Sequence, residues 1–325
     1  MKLGIALSGG GIRGIAHAGV LQALKNNGIN VDVIGGTSAG SMVASLYAMG
    51  YSPEEIYMLF RKNARKIIGS NTFPIISGIK TFIGRKEKTI KGFRNGKNIE
   101  ELYDNIAKQK GVDNIKQIKM PLVIPSVDIM ESKEYIFTNK IPQKRNESIE
   151  YINDISIGKA VRASSSFPAV FDLCSVQKHA FMDGGALDNV PVEEVKRQGA
   201  DKVIAVKFDS DEINEDSNVM DIVMKTIDIM GSKIAESNLE KSDYILNVKT
   251  DKTGLLEMEN LDKCFEYGYN AVIENLEEIK QILKQALRAG LALLRRNYAE
   301  KKDMWKFSVF VQRIDTLLCK SGLCE

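Results

Sequence analysis

The sequence predicts an α/β domain whose mainly parallel sheet is covered by helices on both faces, and three features predict it. Two strand, glycine turn, helix units open the chain in succession, at residues 3–28 and 31–49. The alternation returns past the midpoint, where helical periods at 192–198 and 218–237 interleave with strand-like runs at 202–208 and 244–248. With 325 residues, 44% hydrophobic and 27% charged, the chain has the composition of a globular protein with a sizeable core. In such sheets functional groups collect beyond the carboxyl ends of the strands, so both opening glycine turns are expected at that edge.

Taken in order, Leu3 to Leu7 is an apolar run that ends in Ser8-Gly9-Gly10-Gly11. Ile12, Ile15, Ala16, Gly19, Val20, Ala23 and Leu24 then recur at helical spacing until Asn27-Gly28 stops them. Residues 31–35 read as the second strand, followed by Gly36-Thr37-Ser38-Ala39-Gly40 and a helix through Met49. Ser52-Pro53-Glu54-Glu55 supplies a capping serine, a proline at the first helical position and a glutamate at the third, which predicts a helix to about Ile68. From 69 to 97 the period is lost, and Lys80, Arg85, Lys86, Lys88, Lys91, Arg94 and Lys97 interleave with Phe82, Ile83 and Phe93 as a basic loop. A helix at 98–110, strands at 121–127 and 134–138 and a helix at 156–163 follow. Phe181-Met182 leads into the turn Asp183-Gly184-Gly185, and one long helix is expected over 260–289. The main domain is expected to span 1–280, with 281–325 as a C-terminal appendage; after about Ala286 the texture shifts towards Leu, Arg and aromatics.

A net charge of +3 is too small to argue for a nucleic-acid partner. Cys174, Cys264, Cys319 and Cys324 form neither a CxxC nor a Cys/His set at metal-ligand spacing, which fits a reduced, cytoplasmic setting. The glycines after Leu7 interrupt the opening run before a signal-peptide core forms, and no run approaches the ~18 to 20 apolar residues of a membrane span. Membrane contact is therefore expected to be peripheral. The basic loop suits it, as does the helix carrying Lys280, Lys284, Arg288, Arg295 and Arg296 beside Ile282, Leu283, Leu287, Leu291 and Leu294. An amphipathic helix packed on the domain or on another subunit is the favoured reading of the latter.

Gly36-Thr37-Ser38-Ala39-Gly40 is a G-x-S-x-G at a strand-to-helix corner, where small neighbours let a strained turn present a hydroxyl above the sheet. An activated serine needs a base, and neither His17 nor His179 follows a turn as a triad histidine does. His17 is expected on the polar side of the first helix. A carboxylate held within hydrogen-bond reach and away from bulk water can serve directly. Asp183, followed by Gly184 and Gly185, is the best candidate, although its local pattern alone is that of a plain Asp-Gly turn. Donors for an oxyanion are supplied by consecutive N–H groups of a glycine turn at a helix start, and Gly9-Gly10-Gly11-Ile12-Arg13-Gly14 is such a turn. Arg13 either pins the loop or meets a lipid phosphate. The same six residues satisfy G-x-G-x-x-G, so a dinucleotide-binding oxidoreductase is the main rival. That fingerprint expects an acid at the end of the next strand to hold the ribose, whereas Asp32 opens the strand, which favours the oxyanion reading.

Together the triple-glycine loop with Arg13, the elbow from Gly36 to Gly40 and the Asp183-Gly184-Gly185 turn resemble, in order, the three signatures of patatin-like phospholipases. Pro121-Leu122-Val123 with Ser126-Val127-Asp128, Arg162-Ala163-Ser164-Ser165-Ser166-Phe167-Pro168 and Asn189-Val190-Pro191-Val192 look like the family too, and the resemblance covers roughly residues 2–209. It implies a three-layer α/β/α fold with a mainly parallel central sheet. It also implies a serine acyl-ester hydrolase of the phospholipase A or lysophospholipase kind, working through an acyl-enzyme without metal or other cofactor. Carried over, Ser38 is the nucleophile, Asp183 the base, and the N–H groups of Gly10, Gly11 and Ile12 the oxyanion hole. Gly9, Arg13 and Gly14 complete that loop, and Gly36, Gly40, Gly184 and Gly185 are geometric supports. The expected partner is a lipid acyl ester, and peripheral membrane contact and self-association are both compatible with the sequence. A lipid-binding protein that has the fold without turnover is the remaining alternative.

Overall fold

The computed structural model describes residues 1–68, 95–168, 170–209, 219–250, 260–300 and 311. Among these the elements are, in chain order, β1 (Leu3–Leu7), a 3-10 helix (Gly11–Ile15), α1 (Ala16–Asn26), β2 (Val33–Gly36), α2 (Ala39–Ala48), α3 (Pro53–Ile68), α4 (Lys97–Gln109), β3 (Leu122–Asp128), β4 (Lys133–Thr138) and β5 (Glu150–Ile152). There follow α5 (Ile157–Ser164), β6 (Cys174–Val176), β7 (His179–Asp183), α6 (Val192–Arg197), β8 (Lys202–Phe208), α7 (Val219–Leu239), β9 (Tyr244–Val248), α8 (Leu261–Glu274) and α9 (Leu276–Glu300).

The sheet runs β5-β4-β3-β2-β1-β8-β9. The strands from β3 through β9 in that order pair in parallel, while β4 and β7 lie antiparallel to β3. β1 and β2 are buried at every position, because helices cover both faces, and so neither shows the alternation of a half-exposed strand. On one face α1 to α5, α8 and α9 bury the larger core around Ile5, Leu7, Leu24, Ile34, Phe137 and Val272. On the other, α6 and α7 cover Ala6, Val33, Val123, Val203 and Ala205. The result is the expected three-layer α/β/α arrangement with a mostly parallel sheet.

The register of β3 positions the site. Its first part pairs with β2, Gly35 opposite Val123, and its last part pairs with β7, Asp183 opposite Ser126. β7 therefore takes over the edge of β3 that β2 leaves when the chain turns off at Ser38. Continued three residues, the β2 register would bring Ser38 level with Ser126, the residue that Asp183 faces.

Several expectations are corrected. Strands β5, β6 and β7 were not foreseen, since two of them have three residues, too short to show a period. The long helix over 260–289 is two helices. Asn275 ends α8 by donating from Nδ2 to Ala271 O at 2.8 Å, and its Oδ1 accepts the Tyr244 hydroxyl at 2.9 Å. α9 then continues to Glu300. Ile279 and Leu283 bury into the core, which anchors the first turns of α9 on the domain. The basic loop lies outside the described residues, except that Lys97 opens α4. Among the described residues no helix is long and apolar enough to cross a membrane.

Candidate active site

β2 ends at Gly36 and α2 begins at Ala39, so the chain must reverse over two residues. Ser38 does so at φ 52 and ψ −121, a conformation that costs a residue with a Cβ on the order of 1 to 3 kcal/mol. Surrounding bonds hold it there. Thr37 N–H donates to Leu7 O at 3.1 Å and its hydroxyl to Asp188 O at 2.8 Å. Ser38 N–H donates to the buried Ser164 Oγ at 3.0 Å. Small neighbours are obligatory: a Cβ on Gly36 would stand 2.3 Å from Gly40 O, one on Gly40 2.4 Å from Leu7 O, and one on Gly14 2.4 Å from the Ala39 Cβ. The elbow foreseen in the sequence is thus packed against the end of β1 and the glycine loop.

Asp183 closes β7 and is buried, 4% exposed. Its N–H donates to Ser166 O at 3.0 Å, and its Oδ1 accepts the Gly185 N–H at 2.9 Å. A Cβ on Gly184 would meet Pro125 O at 2.4 Å, so the turn can lie flat on β3 only with glycine there. Burial pushes the carboxyl pKa up to about 6, against the lowering pull of the Ser38 hydroxyl and the Gly185 N–H. Ser38 is close enough to act on the carboxylate electrostatically, while Asp183 Oδ2 has no partner in good hydrogen-bond geometry among the described residues, leaving an open acceptor. Serine and aspartate are thus brought together across 145 residues of chain, a distance set by positions 38 and 183.

The glycine loop flanks Ser38. A Cβ on Gly9 would lie 3.3 Å from the Ser38 Cβ. Gly9 N–H is already used, donating to Asn189 Oδ1 at 3.0 Å, whereas Gly10 caps the 3-10 helix that Gly11 and Ile12 begin, where the first N–H groups have no preceding carbonyl. Gly11 sits at φ 57, which glycine alone adopts without strain. Gly10 lies on the Phe208 ring, with no room for a Cβ. Arg13 is 2% exposed. Its Nε donates to Gly10 O at 3.3 Å and its Nη1 to Asp209 O at 3.0 Å, with the guanidinium 5.5 Å from the Phe208 ring centre. Of its two expected roles the structure supports the pin.

His17 is fully buried and does not face a polar side. Its Nε2 donates to Ser8 O at 2.9 Å, its ring lies 4.7 Å from Phe208, and burial lowers its pKa to about 4, so it is a neutral brace under the glycine loop. His179 donates from Nδ1 to Asp128 Oδ2 at 2.6 Å. Asp128 also accepts the Met130 and Ala180 N–H groups, so with Glu131 beside it the cluster ties the β3–β4 turn to β7. Neither histidine is hydrogen-bonded to Ser38. Thr37, Ser164, Asp188 and Asn189 were not singled out from the sequence as site residues; the signal was that Thr37, Ser164 and Asn189 lie in stretches resembling the family. Asp32, which a bound ribose would need near the loop, is exposed, and its Oδ2 accepts the Leu3 N–H at 2.8 Å, at the amino end of the strands and opposite the glycine turn.

Comparison with known proteins gives the family. The model of the family described as patatin-like phospholipase matches residues 5–196. Lysophospholipase NTE1 of Candida albicans is 25% identical over 337 aligned residues, covering 94% of this chain and 22% of that protein. Lysophospholipase NTE1 of Saccharomyces cerevisiae is 31% identical over 208 residues, 64% of this chain and 11% of that protein. The chain thus spans about a fifth or less of the length of these curated relatives. Human GIVD cytosolic phospholipase A2 superposes with a TM-score of 0.49 at 11% identity, over 88% of this chain and 60% of that one. With the family match covering more than half of its length, the chain belongs to the patatin-like phospholipase family.

Proposed function

We propose that the protein hydrolyses acyl esters of lipids, as a phospholipase A or lysophospholipase, through a Ser38–Asp183 dyad. The observation that carries this reading is the buried Asp183 carboxyl, raised to about 6, beside the strained Ser38. A base of that pKa is largely ionised at neutral pH yet more basic than an ordinary aspartate. Ser38 Oγ attacks the acyl carbonyl while its proton passes to Asp183. The N–H groups of Gly10, Gly11 and Ile12 take the oxyanion. Collapse breaks the ester C–O bond, and Asp183 returns the proton to the leaving alcohol. Water then attacks the acyl-enzyme with Asp183 again as base, releasing the fatty acid and the Ser38 hydroxyl. The names of the fungal relatives direct the substrate class towards lysophospholipids, and contact with lipid surfaces is peripheral in this reading.

The test is fatty-acid release from lysophosphatidylcholine and from phosphatidylcholine vesicles. Ser38→Ala and Asp183→Asn are each expected to lower kcat on the order of 10⁴- to 10⁶-fold. Turnover within about tenfold of wild type in either variant would overturn the dyad.

A further inference from the structure

Outside the dyad, Asn189 is a side chain that joins the glycine loop to the segment after the aspartate turn. Its Oδ1 accepts the Gly9 N–H at 3.0 Å, and its backbone oxygen stands 3.3 Å from the same nitrogen. Because an N–H only donates, this contact also fixes which end of the amide faces Gly9. A Cβ on Gly9 would lie 2.7 Å from Asn189 Oδ1 and 3.3 Å from the Ser38 Cβ; one on Gly185 would lie 3.2 Å from both Asn189 Oδ1 and Asp183 Oδ1. One oxygen therefore sits between the glycine loop and the aspartate turn, beside nucleophile and base alike. Its own segment is held firmly. Asp188 N–H donates to Gly184 O at 2.9 Å, the Thr37 hydroxyl donates to Asp188 O at 2.8 Å, and Asp188 Oδ1 accepts Asn238 Nδ2 at 3.0 Å.

We infer that Asn189 is a positioning residue for hydrolysis, acting through Gly9; the inference rests on the Ser38–Asp183 reading above. Three consecutive glycines have wide conformational freedom, and oxyanion donors are worth most when they need not reorganise as charge develops. By occupying the Gly9 N–H, Asn189 anchors the first glycine and leaves the next N–H groups to face Ser38. It also locks the loop to the turn that carries the base, so that donors and base keep one mutual geometry.

The test compares Asn189→Ala with Asn189→Asp in the full chain, measuring kcat and KM on a soluble p-nitrophenyl ester and the rate of Ser38 phosphonylation by a fluorophosphonate. Alanine removes the acceptor and leaves only the longer backbone contact. Both kcat and the phosphonylation rate, per active site titrated, are expected to fall together by roughly 10- to 10²-fold, with KM changed by less than about threefold. Aspartate keeps an oxygen in place and adds a charge near Asp183. It is expected to recover most of the lost rate above the acid limb and to move that limb to higher pH, because a second nearby carboxylate disfavours ionisation of the first. Phosphonylation of Asn189→Ala within about threefold of wild type, or an Asn189→Asp variant with neither recovery nor a displaced limb, would overturn the inference. If wild type itself fails to label at Ser38, the hydrolase reading is what has failed; labelling that is slowed by Asp183→Asn and indifferent to Asn189 sinks this inference alone.

Discussion

Replacing Asp183 by Asn should make the folded protein more stable at alkaline pH while abolishing turnover. The carboxyl is buried, and its pKa rises from 3.8 to about 6, so folding favours its neutral form. The stability it contributes is complete below the unfolded value and is lost as pH rises through the folded one. A shift of about two units corresponds to a penalty of about 3 kcal/mol at pH 8, roughly half of it already present at pH 5. Asparagine is neutral at every pH, and its side-chain oxygen can still accept the Gly185 N–H. Urea denaturation followed by circular dichroism at pH 8 and at pH 5 measures the difference. The variant is expected to gain about 2 to 3 kcal/mol at pH 8 and about half as much at pH 5. A variant no more stable than wild type at pH 8, or a gap that does not change with pH, would refute the burial argument for the base.

Three further outcomes follow from the same geometry. The acid limb of kcat/KM is expected near pH 6, where Asp183 ionises; a flat profile between pH 5 and 7 contradicts its role as base. His17, lowered from 6.5 to about 4, destabilises the fold as pH falls through that interval, by about 3 kcal/mol. In the wild type this opposes the Asp183 slope, so denaturation of Asp183→Asn should expose a steep acid loss that His17→Gln removes, and an unchanged slope would contradict the buried neutral histidine. Gly40→Ala puts a Cβ 2.4 Å from Leu7 O and 2.7 Å from Ser8 O, backbone atoms that must move. If the glycine loop holds the oxyanion as proposed, displacing it in this way is expected to cost roughly 10²- to 10³-fold in kcat on a soluble ester.

What was legible in the sequence was local. The glycine loop and the serine elbow each lie within a few residues at a strand-to-helix corner, and their backbone demands leave a mark in the residues themselves. Asp183 is marked only by the two glycines after it, which fit a plain turn as well; its proximity to Ser38 depends on β7 replacing β2 along β3, a pairing between strands far apart in the chain. His17 was misplaced for a related reason. α1 is packed among α8, α3 and α2, so every residue from Ala16 to Leu24 is buried and no polar side exists. Close approach of α8 to α1, where a Cβ on Gly268 would stand 1.9 Å from Ala16 O, is likewise invisible until both helices are placed. The break at Asn275 depends on Tyr244, a strand residue with no sequence neighbour in the helix.

The most direct measurement of the central claim is peptide mass spectrometry after treatment with a lipid-like fluorophosphonate, comparing wild type with Asp183→Asn. The account predicts a single phosphonyl adduct on Ser38, formed far more slowly in the variant although that variant folds at least as stably. A well-folded wild type with no adduct on Ser38, or labelling equally fast in both proteins, would contradict it.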